Sequence, residues 1–120
     1  MNPKIKDTSF GSITVGEQVY HHDVLIRLDG QVRKRKKKLS KAIYGTSHVI
    51  SLEEAQHIHQ EGADTLIIGS GQYGMVELSD EATEFFAQKN CPVELLPTPE
   101  ALEVWNQTDG AVIAVFHVTC

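Results

Sequence analysis

Cysteine is nearly absent from this chain of 120 residues, which holds only Cys91 and Cys120. Two cysteines make neither a disulfide framework nor the paired spacing of a zinc site, and they fit a reducing compartment. Long apolar runs are missing as well. None approaches the roughly 20 residues that a membrane-spanning helix needs. The start, Met1-Asn2-Pro3-Lys4-Ile5-Lys6-Asp7, has no apolar stretch of the signal-peptide kind, so the expected address is cytoplasmic, with no membrane contact. Bases are scarce over most of the chain: beyond residue 41 there is only Lys89, against twelve acids. Up to residue 41 the balance reverses, with ten bases against four acids. A net charge of −5 therefore conceals a segment at +6 followed by one at −11, which gives one basic face and a larger acidic one.

What is present is the composition of an ordinary globular domain, 41% hydrophobic and 22% charged. This length suffices for one domain over residues 1–120 that buries about two thirds of its unfolded surface. No linker, internal repeat or low-complexity segment divides it, apart from a basic tract at 33–38.

Residues 10 to 39 read as antiparallel β structure. Ser12-Ile13-Thr14-Val15 and Val19-Tyr20 flank the turn Gly16-Glu17, and Val24, Ile26 and Leu28 lead to Asp29-Gly30, a strong hairpin signal. From Ser51 the apolar period lengthens to that of a helix. Ser51-Leu52-Glu53-Glu54 has the form of a capping box, with Gly62 closing the helix. Further helices open at Ser79, burying Phe85 and Phe86, and at Thr98-Pro99-Glu100. Strands starting at Asp64 and Ala111 are nearly continuous in apolar residues, as in sheets covered on both faces, and Val93-Glu94-Leu95-Leu96 makes a further strand between them. Strand, helix, strand, helix, strand with short connections predicts right-handed crossovers. The fold class is α/β: a single compact domain with a central mixed, mostly parallel sheet flanked by helices, and extra N-terminal antiparallel β structure.

In that topology several loops meet at the carboxyl edge of the sheet, where open α/β sheets bind ligands. The predicted meeting place gathers His48, Gly69, Ser70, Gly71, Gln72, Tyr73, His117 and Cys120 around one concave surface. Gly69-Ser70-Gly71-Gln72-Tyr73-Gly74 satisfies G-x-G-x-x-G after a strand. In a dinucleotide fold the helix starts inside that motif, whereas here Met75-Val76-Glu77-Leu78 precede a separate cap at Ser79. The loop is then either structural or a row of amides for an anion or small ligand.

Arg33, Lys34, Arg35, Lys36, Lys37 and Lys38 offer a nucleic-acid or anion surface. No aromatic-rich strand accompanies them as a stacking platform and the chain is acidic overall, so nucleic acid ranks behind a solvated, edge-protecting strand. The six are expected to lie largely in solvent, because six cations cannot be buried without partners. The six histidines repeat no ligand spacing, and neither metal nor cofactor is expected. His117 and Cys120, near His48, could form a nucleophile pair, but no orienting carboxylate is evident.

Val32-Arg33-Lys34-Arg35-Lys36, Tyr44-Gly45-Thr46-Ser47-His48, the glycine loop, Leu96-Pro97-Thr98-Pro99 and Phe116-His117-Val118-Thr119-Cys120 together resemble the uncharacterised Mth938-like domain family. That family includes small bacterial and archaeal proteins, an animal adipogenesis-associated protein and a mitochondrial complex I assembly factor. The resemblance runs from about Phe10 to Cys120 and implies a compact α/β domain with a central mixed sheet. It supplies no catalytic residues. Members tied to assembly point to a non-enzymatic binding or assembly-type domain with an unknown protein partner, which is the leading expectation. A small-ligand or anion-binding protein, enzymatic or not, using the carboxyl-edge loops comes second. Nucleic-acid binding through residues 33–38 comes third.

Overall fold

Strand alternation organises the first part of the chain. In the computed structural model, which describes residues 2–120, β1 (Ile5–Ser9), β2 (Ser12–Val15) and β3 (Gln18–Tyr20) form an antiparallel sheet in that order. Ile13 and Val15 point inward and Thr14 outward, the period of two that a half-buried sheet requires. β4 (Val24–Ile26) and β5 (Val32–Lys34) are a second hairpin. Its turn is closed by Gly30 at φ 86° and by the Asp29 carboxylate, which accepts the Gln31 N–H at 2.9 Å. The antiparallel structure expected over residues 10–39 is thus divided between two sheets. The division follows from Val24, Leu25 and Ile26, all buried, which suit a strand covered on both faces.

The chain continues through α1 (Lys38–Tyr44), β6 (Val49–Ile50), α2 (Leu52–Ile58), β7 (Thr65–Ser70), β8 (Glu77–Leu78), α3 (Asp80–Gln88), β9 (Val93–Leu96), α4 (Thr98–Gln107) and β10 (Val112–His117). The central sheet has the order β5-β4-β10-β7-β9, and β6 pairs with β8. β10, β7 and β9 are mutually parallel, as the alternation of strands with helices predicts, while β4 and β5 join antiparallel.

β10 shows why its run is continuous. Val112, Ala114 and Phe116 join Ile5, Ile13, Val24, Ile67, Leu102 and Trp105 on the face covered by α4 and the N-terminal sheet. Ile113 and Val115 join Leu25, Ile58, Leu66, Ile68 and Phe86 on the face covered by α2 and α3. Each large side chain so buried contributes about 1.5–3 kcal/mol. Trp105 also donates its indole N–H to the Pro3 carbonyl at 2.7 Å, which ties the chain's beginning to α4.

Several local expectations are corrected. The Ser51 hydroxyl does cap the Glu54 N–H, at 3.1 Å, but the Glu54 carboxylate does not reach back, because Arg35 and Ser40 hold it. α2 ends at Ile58, short of Gly62. The Thr98 hydroxyl caps nothing, since it donates to the His117 carbonyl at 2.7 Å and accepts the Gly71 N–H at 2.9 Å. Phe86 is buried while Phe85 is only half-buried. α1 stands where the basic tract and a loop were read; at seven residues, without a side-chain cap, it is too short to show a period.

Candidate functional site

Val24 pairs with both Phe116 and Lys34, so the start of β4 and the end of β5 share the carboxyl edge of the parallel strands. Just past β5 the chain turns Arg35 inward. It is 4% exposed, which corrects the expectation that the whole tract lies in solvent. Its guanidinium meets the Glu54 carboxylate with two bonds, Nε at 2.7 Å and Nη2 at 3.1 Å. Nη1 donates to Asp23 Oδ2 at 2.9 Å, and Nη2 also donates to the Ser47 carbonyl at 2.7 Å. The planar fork of arginine matches this set, and a lysine could not. Five of the six cations do remain exposed or half-exposed, for want of such partners.

Asp23 is as crowded as Arg35. Oδ2 accepts from His117 Nδ1 at 2.7 Å, and Oδ1 accepts the Val118 N–H at 2.9 Å. Burial pushes its carboxyl up, but the bonds from His117 and Val118 and the charges of His117 and Arg35 outweigh it and hold the pKa at about 2. For Arg35, burial works against the charge, and Glu54 and Asp23 more than restore it, raising its pKa. An ionised Asp23 only accepts, so the proton of this contact sits on His117 Nδ1. The other ring nitrogen faces the Thr119 hydroxyl at 3.1 Å. The His48 ring packs edge-on against His117, with centroids 5.5 Å apart.

Above this ion cluster opens a groove of about 680 Å³. It is lined by His21 and His22, by Lys34, Lys36, Lys37 and Lys38, and by Gly11, Val118 and Thr119. The acid among its lining residues is Asp23, whose charge Arg35 and His117 already meet. Lys37, half-exposed, reaches Asp23 Oδ2 at 3.6 Å. Among the described residues, Lys34, Lys36 and Lys38 have no carboxylate partner.

The glycine loop lies at the same edge but on the far side of β10. Its amides are taken up by the chain itself. Gln72 N–H donates to the Thr119 carbonyl at 2.7 Å, Tyr73 and Met75 to that of Cys120 at 3.0 and 3.2 Å, and Val76 to that of Ser70 at 3.0 Å. With Gly71 on Thr98 and Gly74 on the Gly71 carbonyl, no amide from Gly71 to Val76 faces outward unpaired. Gly69, Ser70 and Gly71 are buried, the Gln72 side chain turns to Thr8, and Cys120 is half-buried. Tyr73 stands 74% exposed beside Phe10, ring centroids 6.0 Å apart. The edge therefore brings His48 to His117, with the glycine loop and Cys120 packed across β10, while the open groove belongs to the basic tract.

Sequence reasoning missed Asp23, Glu54, His21 and His22. Asp23 carried a signal, being an acid abutting the apolar strand Val24-Leu25-Ile26, a position that demands a partner. Glu54 gave none beyond its place in a capping box.

The family profile described as a protein of unknown function (DUF498/DUF598) matches residues 5–117. The chain belongs to the DUF498/DUF598 family. Solved structures agree with this membership. A conserved hypothetical protein, PH1505, from Pyrococcus horikoshii OT3 is 33% identical, with 98% of this chain and 99% of that one covered and a TM-score of 0.89. The protein named MT938 is 34% identical over 99% of this chain and all of its own (100%), with a TM-score of 0.83. A Mth938-like domain of Bordetella pertussis shares the fold at 13% identity, covering 97% and 85% of the two chains, with a TM-score of 0.63. The resemblance to Mth938-like domains is thereby borne out. No curated protein matches the chain.

Proposed function

We propose that this DUF498/DUF598 chain is a binding domain whose ligand is anionic and seats in the groove between His21-His22 and the lysines that follow β5. One observation carries the reading: Lys34, Lys36, Lys37 and Lys38 converge on one groove in which the acid, Asp23, is already held by Arg35 and His117. Crowding like charges costs stability, and a concave basic surface focuses its field on an incoming anion. A volume of about 680 Å³ is that of a small-ligand pocket. The test is thermal melting with inorganic phosphate and tripolyphosphate against sodium chloride at matched ionic strength. Stabilisation by tripolyphosphate that Lys36→Gln/Lys37→Gln/Lys38→Gln abolishes supports the reading; equal melting in all salts refutes it.

A protein partner is the second reading, and a specific observation favours it. Phe10, Tyr73 and Met75 are 58%, 74% and 54% exposed, and large apolar side chains grouped on a surface mark docking sites. Capture of one defined partner by the native chain and not by Tyr73→Ser would support it. The free thiols of Cys91 and Cys120 favour a reducing, cytoplasmic setting for either reading.

A further inference from the structure

The anion groove does not end at the lysines. A second depression, of about 460 Å³, begins on the other side of β5 and shares Lys34 and Lys36 with the first. It adds Arg33, His57, Arg27, whose Nη1 donates to the His57 and Ile58 carbonyls, and one acid, Asp29. The alternation of β5 explains the arrangement: Arg33 pairs with Leu25 and Lys34 with Val24, residues of opposite core faces, so consecutive cations emerge on opposite sides of the sheet. β5 is also the last strand of its sheet. The cations therefore lie on both sides of an open edge, where Lys34 and Lys36 join the two depressions into a track. Gly11 also lines the first groove, and its neighbour Phe10 stands beside Tyr73 with both rings exposed.

We propose that this track binds single-stranded nucleic acid, with phosphates on the cations along both sides of β5 and a base on the Phe10–Tyr73 pair. The inference rests on the anion-groove reading and names its ligand class. A compact anion fills one depression, whereas a ligand that meets both must be long, flexible and repeatedly charged. Lysine binds phosphate as a point charge, while carboxylates gain most from the arginine fork, and here the groove lysines outnumber the surface arginines. A track that bends around a strand edge suits a flexible strand better than a rigid duplex. Exposed aromatic faces beside a basic groove are what stacked bases use. The acidic remainder of the chain repels a polyanion everywhere else and so confines it to this edge.

The experiment is fluorescence anisotropy of a labelled mixed-sequence single strand of about 12 nucleotides, within the span such grooves cover. It is titrated with the native protein over roughly 50 to 200 mM salt. Lys37→Gln/Lys38→Gln tests one side of β5, Arg33→Gln the other, and Phe10→Ser/Tyr73→Ser the aromatic pair. Melting temperatures establish first that each variant folds. The native protein should bind with a steep salt dependence. Each cation variant should flatten the slope by about 0.7 per charge removed. The aromatic variant should weaken binding about fivefold or more with its slope unchanged. If tripolyphosphate stabilises the protein but the strand does not bind, the groove stands and this inference fails. Failure of both probes ends both readings. Tighter binding of an oligoglutamate peptide of equal charge, or indifference to the aromatic variant, would likewise overturn nucleic acid.

Discussion

Arg35 holds Asp23 twice. Its backbone N–H donates to the Asp23 carbonyl at 3.1 Å, and its Nη1 donates to Asp23 Oδ2 at 2.9 Å. One residue thus fixes the entrance of β4 against the exit of β5 and also reaches Glu54 of α2, which Ser40 of α1 holds as well. Arg35→Gln leaves two buried carboxylates short of a cation, and should cost about 3–5 kcal/mol in urea unfolding. Arg35→Lys should recover little of this, lacking the fork that meets both acids. A loss below about 1 kcal/mol for Arg35→Gln would mean the cluster is not held as described.

Asp23 makes the acid limb of the stability curve. Its folded pKa of about 2 lies below the ordinary 3.8, so the native state binds this proton less readily than the unfolded chain does. The stabilisation is fully present above the ordinary value and is lost as pH falls through about 2. Its size is roughly 2 kcal/mol. Asp23→Asn should be less stable than wild type at pH 5, and the gap should narrow steadily on acidification. A gap independent of pH would show that Asp23 is not ionised in the fold.

The same cluster shows what a single sequence can and cannot disclose. β7 and β10 were legible because a strand covered on both faces must be apolar throughout, β9 because it stands between two helices, and the caps at Ser51 and Ser79 because an N-cap hydroxyl and its target lie three residues apart. The role of Arg35 was not legible. Its neighbours are all cations, and its partners Asp23 and Glu54 come from other elements, so only the closed fold reveals which of six adjacent bases is buried. Phe10 and Tyr73 meet for the same reason, through two turns distant in the chain. Chain direction places the loops after β7 and β10 at the carboxyl edge, but which half of that edge stays open depends on how residues 118–120 pack.

The exposed members of the tract should behave oppositely to Arg35. Lys36 and Lys38 have no carboxylate partner among the described residues, and Lys37 reaches Asp23 only at 3.6 Å from a half-exposed position. Lys36→Gln/Lys37→Gln/Lys38→Gln should change stability by no more than about 0.5 kcal/mol per site, and relief of mutual repulsion favours a slight gain. Differential scanning calorimetry in low salt reads this directly. A fall of several degrees would mean that Lys37 supports the cluster more than its distance implies.

Gly71 separates a packing requirement from a merely conformational one. Its φ of 107° strains any side chain, and a β-carbon there would sit 2.2 Å from the Cys120 carbonyl carbon and 2.8 Å from His117 Cδ2. Backbone cannot yield as the tip of a side chain can, so Gly71→Ala must expel residues 119–120 from the loop. That breaks the bonds from Gln72, Tyr73 and Met75 and loosens His117 against Asp23. Gly74, at φ 70°, would place its β-carbon 3.5 Å from Pro97 and 3.6 Å from Ser70, ordinary contact distances. Gly74→Ala should therefore cost only the backbone term, about 1 kcal/mol, and Gly71→Ala at least about 3 kcal/mol. Urea unfolding of the two variants side by side, with amide exchange at Gln72 and Tyr73, measures the difference. Equal costs, with those amides still protected in Gly71→Ala, would show that the 118–120 segment is not held in the glycine loop.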